Sequence, residues 1–142
     1  MKNNVSIRLE KTIGENTTES EKSFFFTEAH LKEKNGIYYY FFDESLTSQS
    51  GDGEPSLIEV GSDYVSRIIG KNGDNSILYK EGVTEKIVHE TPFGDLISIF
   101  STILLDINLE DGIGDIEIIY KYESFETNVM NYLNIHITRI SE

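Results

Sequence analysis

Cysteine and tryptophan are absent from this 142-residue chain. Without cysteine there is no disulfide framework, no thiolate nucleophile and no Cys-ligated metal. Cations are scarce: 12 Lys and Arg stand against 25 Asp and Glu, a net charge of −13. A surface of that sign repels phosphates and anionic lipid, which excludes nucleic acid and membrane surfaces as expected partners. Long hydrophobic runs are missing too. The longest uncharged apolar run, Leu96–Leu105, is broken by Ser98, Ser101 and Thr102, so no bilayer span is expected. Residues 1–20 hold no apolar h-region, and no secretory signal is expected. The chain that remains is 38% hydrophobic and 11% aromatic, too apolar for disorder. Its length suits one domain, residues 1–142, with a core that needs no disulfide or metal. The expectation is a single acidic domain in the cytoplasm.

What is present is a period of two. Val5, Ile7 and Leu9 alternate with Ser6, Arg8 and Glu10, as in a half-buried strand. Further strands are expected at Phe24–Leu31, Tyr38–Phe42, Leu57–Val60, Tyr64–Ile69, Ser76–Lys80, Thr84–Glu90, Ile97–Ile107, Ile116–Tyr122 and Val129–Ile140. Ile97–Ile107 is long enough to bend or switch faces midway. Polar or glycine-bearing connections fall at Gly14–Glu21, Ser45–Ser56, Gly70–Asp74 and Asp111–Gly114. Asn35-Gly36 is the strongest turn signal, because both central residues of a type I′ hairpin need φ > 0. No ten-residue stretch shows a capped 3.6 period. The predicted fold is all-β: a single up-and-down antiparallel barrel of about eight to ten strands, with a two-sheet sandwich as the competing architecture.

The hairpin fixes a register in which Lys34 opposes Ile37 and Leu31 opposes Tyr40. One face then carries Phe25, Ala29, Leu31, Tyr38, Tyr40 and Phe42. The other carries Phe24, Phe26, Tyr39 and Phe41 among Glu28, His30, Lys32 and Asp43, and its charges mark it as outward. Ile116, Ile118, Tyr120, Tyr122, Leu133, Ile135 and Ile137 point inward by the same logic. Arg139 shares their phase, and so belongs at a barrel mouth or in an ion pair. Inside an eight-stranded barrel there is room for packed side chains or one small ligand. Tyr38, Tyr40, Phe42, Tyr120, Tyr122 and Arg139 are therefore the expected ligand-binding residues, the arginine meeting an anionic head. Phe24, Phe26, Tyr39 and Phe41 form the expected interaction patch, covered by another part of the chain, by a second copy in a homodimer, or by a partner.

Two stretches resemble a known family. His89-Glu90-Thr91-Pro92-Phe93-Gly94, running on through Asp106-Ile107-Asn108-Leu109 to Ile116–Tyr122, is similar to "ETPYG … LDVNL … IDIEYEL". Lys34–Tyr39 and Asp43–Ser45 resemble a "KNGxYY" hairpin followed by a "DES" stretch. Both belong to the YwiB-like family of bacterial proteins of unknown function (DUF1934). The resemblance implies a calycin-like barrel, related to lipocalins and fatty-acid-binding proteins, and no activity. Many calycins pack a last-strand arginine on a first-strand tryptophan; Arg139 suits the first role, and the second has no candidate here.

Catalytic and metal motifs fail one by one. His30, His89 and His136 sit singly on their strands, without metal-ligand spacing. Asp106 opens a run with Asn108, Glu110 and Glu117 at calcium-loop positions, but Asp111 replaces the required glycine and the flanks read as strands. Gly51–Gly53 and Gly70–Gly73 are turns and not a phosphate loop. No catalytic residue, metal ligand or cofactor is expected. Two functions fit: a barrel holding a small apolar or anionic ligand, and a non-catalytic interaction or dimerisation module using the outward aromatics.

Overall fold

The computed structural model describes residues 4–14, 21–43, 55–69, 75–124 and 127–140. Every regular element among them is a strand: β1 Val5–Gly14, β2 Glu21–Lys34, β3 Ile37–Asp43, β4 Pro55–Val60, β5 Val65–Ile69, β6 Asn75–Tyr79, β7 Thr84–Thr91, β8 Gly94–Glu110, β9 Ile113–Ser124 and β10 Thr127–Arg139. The Gly70–Asp74 turn lies outside the described residues. So do the Gly14–Glu21 and Ser45–Ser56 connections, apart from Gly14, Glu21, Pro55 and Ser56, which belong to strands.

All ten strands form one antiparallel sheet in the order β6-β5-β4-β3-β2-β1-β10-β9-β8-β7. Sequence neighbours pair along the chain except β6 and β7, the two ends of the order, and β1 also pairs with β10 from Val5↔Arg139 to Gly14↔Met130. That second pairing rolls the sheet into a nearly closed barrel, and the sandwich is excluded. The seam falls between β6 and β7. There Leu78 N donates to Glu85 Oε2 at 2.7 Å, a side-chain carboxylate taking a donor that a ladder carbonyl would otherwise accept. Just beyond it, Gly82 N donates to Thr102 O and Thr102 N donates to Val83 O.

Local chemistry accounts for the turns. Asn35 and Gly36 have φ of 54° and 79°, the type I′ geometry expected of Asn-Gly, and Lys34↔Ile37 and Leu31↔Tyr40 pair as read from the sequence. Asp111 and Gly112 repeat the solution at 52° and 79°. At the β7–β8 turn, Thr91 Oγ1 accepts from Phe93 N and donates to Gly94 O. The long strand β8 does switch phase. A bulge between Thr102 and Leu104 turns the inward series Ser98, Phe100, Thr102 into Leu105, Ile107, Leu109.

The core is the inner face. Val5, Ile7, Ala29, Tyr40, Ile58, Val60, Val65, Ile116, Ile118, Ile135 and Ile137 are almost fully buried. A one-residue slip of β10 would turn Leu133, Ile135 and Ile137 outward and forfeit roughly 5–9 kcal/mol, so the register is fixed by burial. One barrel end is closed by the β8–β9 turn. Tyr40 Oη donates to Gly112 O at 2.7 Å, a buried bond between residues 72 apart, and a Cβ on Gly112 would run into Leu31 and Tyr38.

Tyr40→Phe leaves that carbonyl buried and unpaired, at an expected cost of about 1–3 kcal/mol. Gly112→Ala forces a positive φ onto a residue with a Cβ as well as the collision, and should cost about as much or more. Urea denaturation of both variants measures this. Unchanged midpoints would show that the turn does not close the barrel end.

Candidate functional site

Polar chemistry on the inner wall gathers beside the seam. β5 is short, and its pleat sends Val65 and Arg67 to the same side, with Arg67 paired between Ile58 on β4 and Ile77 on β6. Arg67 Nε is buried. The guanidinium acts on two phenols: Tyr79 at the end of β6 and Tyr120 on β9, whose rings lie 5.1 Å apart. Phe100 on β8 continues the row, 6.0 Å from Tyr120 and 5.1 Å from Tyr122. Tyr122 Oη lies 3.3 Å from Ser98 Oγ.

These environments separate the phenols. Burial pushes the Tyr79 hydroxyl up, reinforced by the neighbouring Tyr120, to which it donates; Arg67 opposes the rise. Burial also raises Tyr120, against the hydrogen bond from Tyr79 and the charge of Arg67. Tyr122 moves the other way, held below the usual phenol range by hydrogen bonds with Ser124 and Ser98 and by the nearby Lys11. One cation, two protonated phenols and a hydroxyl pair suit hydrogen bonding to an anionic oxygen. Among the described residues no group of His, Asp or Glu is placed to hold a metal ion.

Next to Tyr79, where β6 turns towards β7, a surface cavity of about 240 Å³ is lined by Ser62, Asp63, Lys80, Glu81, Leu105 and Ile107. Lys80 and Asp63 form a 3.4 Å ion pair there, both side chains well exposed. Such a pair is weak and readily exchanged.

The residues expected to bind a ligand are dispersed among several roles. Tyr120 and Tyr122 stand in the polar row. Tyr40 is fully buried and committed to Gly112. Phe42 is buried against Phe25, ring centroids 6.1 Å apart, and Tyr38 is half-buried beside the β8–β9 turn. Arg139 pairs with Val5 at the last register position and is exposed, although Val5 itself is buried.

The outward aromatics divide into two sets. Phe24 and Phe26 are 50% and 60% exposed, with the Arg8 guanidinium 5.2 and 5.8 Å from their ring centres. Tyr39 and Phe41 lie beside β4, opposite Glu59 and Leu57. Glu59 accepts from Tyr64 Oη at 2.6 Å, which pushes the Tyr64 hydroxyl up to about 12. On the same outer wall His136 Nδ1 meets Asp115 Oδ1 at 2.6 Å, beside Arg8 and Glu10.

Residues 6–137 match the family described as "Domain of unknown function (DUF1934)". The chain belongs to the DUF1934 family. Among solved structures it is similar to the crystal structure of the ywiB protein from Bacillus subtilis, with a TM-score of 0.72 and 14% identity over 98% of this chain and 93% of that one. Identity at that level shows a shared fold. No curated protein matches. Among the described residues of this DUF1934 chain no helix is long and apolar enough to cross a membrane, which does not bear on strands.

Arg67 and Glu85 escaped the sequence reading. The usable signal for Arg67 was the alternation Val65, Arg67 against Ser66, which the following Ile68-Ile69 pair obscures. Glu85 carries no motif of its own, since its role is to take Leu78 N across the β6–β7 connection, where no strand ladder forms.

Tyr40 and Tyr79 have folded pKa values above the unfolded value of about 10, so their contribution is complete below pH 10 and is lost as pH rises further. Tyr122 has the opposite sign and contributes most above that pH. Stability should therefore fall above pH 10, with Tyr79→Phe flattening the fall. Phenolate absorbance should show Tyr122 titrating first, a step missing in Tyr122→Phe. A buried pair that ionised together with free tyrosine would contradict this.

Proposed function

We propose that this DUF1934 protein is a non-catalytic, cytoplasmic binder of a small molecule with an apolar body and an anionic head, held on the inner wall of the barrel. The observation that carries the reading is Arg67, a cation turned to the inner face beside Tyr79 and Tyr120. A barrel serving only as a packed scaffold fills such a position with an aliphatic side chain, because moving a guanidinium out of bulk water is costly. In a chain of net charge −13, an inward arginine is also where an anion would find the opposite sign. Phe100, Ile77 and Tyr122 give the apolar flank. The calycin likeness read from the sequence points the same way, by analogy of fold.

A second reading has one observation in its favour. Phe24 and Phe26 are exposed together under Arg8, an arrangement suited to a protein contact at the expected interaction patch.

The test uses 1-anilinonaphthalene-8-sulfonate, an apolar body with an anionic head, together with native mass spectrometry of protein purified from its own host. Wild type should enhance the dye's fluorescence and carry an acidic adduct. Arg67→Met should weaken dye binding about tenfold, or about 1.4 kcal/mol. Phe26→Lys should change neither. Absence of dye binding and adduct in folded wild type would overturn the reading, and loss of both in Phe26→Lys would move the site to the outer patch.

A further inference from the structure

The hairpin of β7 and β8 runs on past the barrel. β9 begins to pair with β8 only at Ile99, while β7 pairs with β8 as far as Thr91↔Gly94. Residues 87–98 therefore form a two-stranded ribbon with no third strand described beside it. An isolated ribbon of this kind is marginal in water. This one also exposes apolar side chains: Phe93 fully, Val88 by 49%, Leu96 by 44% and Ile97 by 40%. Among the described residues no strand pairs with the other edge of β7. Edges like this are usually blunted by bulges, prolines or several lysines. β7 has no bulge or proline and a single lysine, Lys86.

Charge and register identify what fits. On one face the pleat places Lys86, Val88 and Glu90 in a row, backed by Ile99, Ile97 and Asp95 on β8. Glu90 and Asp95 are directly opposed like charges, both exposed, and among the described residues neither has an ion pair. Opposed like charges weaken a ladder. Read in reverse, the row Lys-Val-Glu becomes Glu-Val-Lys, which is complementary to itself in an antiparallel pair.

We propose that β7 is a homodimerisation edge, joining two copies about a two-fold axis at Val88. In that register Val88 meets Val88 of the second copy. Lys86 of each copy faces Glu90 of the other, which brings a cation to the opposed Glu90 and Asp95 carboxylates. The contact is isologous, as closed dimers are. It joins only about five residues on each side, so the dimer is weak, with a Kd of order 10–100 μM. This inference is independent of the ligand reading.

Sedimentation velocity on the full chain, from about 1 μM to 0.5 mM, should show a monomer–dimer equilibrium in that range. Lys86→Glu or Glu90→Lys, which set like charges opposite each other twice, should each weaken it at least tenfold. The double variant K86E/E90K restores the complementarity and should restore the dimer. A mixture of the two single variants should form a heterodimer, which also shows that both are folded. A monomeric wild type at 0.5 mM would overturn the proposal. So would a dimer indifferent to both reversals, and so would single variants that fail to recombine.

Discussion

The pairing of β1 with β10 along ten residues is the constraint from which the other positions in the barrel follow. β1 already pairs with β2, so the second ladder places the N-terminal strand in the middle of the sheet and joins the two ends of the chain there. Ile7, Leu9, Leu133, Ile135 and Ile137 can be buried only in that arrangement, because each ladder alone would leave one wall exposed. With the termini locked centrally, the two free edges are left to β6 and β7, in the middle of the sequence. The seam is a consequence of where the ends meet.

What the seam carries differs from the rest of the wall. Elsewhere the strands are held by backbone ladders and the interior is mostly apolar, without a buried cation among the described residues. At the seam a glutamate side chain replaces a ladder carbonyl, an arginine enters the inner face, and three tyrosines stand in a row with two raised and one lowered in pKa. The other barrel end has no such polarity. Tyr40 spends its hydroxyl on Gly112, and that end is closed by the structure itself. The asymmetry supports placing ligand binding at the seam, while the β7–β8 ribbon beyond it offers an apolar, charge-patterned edge. The proposed binding site and the proposed assembly edge lie on neighbouring parts of one sheet, with the pair Glu85↔Phe100 between them.

The fold was most legible in the sequence where alternation was long and uninterrupted. Burial of Tyr40, Ile116, Ile118, Leu133, Ile135 and Ile137 was legible because a strand presents every second residue to one side. The Asn35-Gly36 turn was legible because its backbone angles exclude most other residues. Short or interrupted alternation concealed more. In Val65–Ile69 two adjacent isoleucines obscure the phase of Arg67, and in β8 the Thr102–Leu104 bulge shifts the phase halfway along. Arg139 had an inward phase but an exposed position beside the buried Val5, since phase does not say whether a long charged side chain stays with the core or reaches past it.

The chain alone determined what local geometry and composition determine: strands in place of helices, the hairpin registers, the two faces of each long strand, and the acidic surface. The family motifs are likewise matters of order along the chain. Tertiary structure decided which strands closed on one another, and with that the seam, the partner of Glu85, the company of Arg67 and the protrusion of the ribbon. Most of those features depend on pairings between residues far apart in sequence, and the Leu78–Glu85 contact on how two neighbouring strands splay at the seam. Periodicity fixes the side towards which a side chain points, whereas the group that meets it there is set by closure of the sheet.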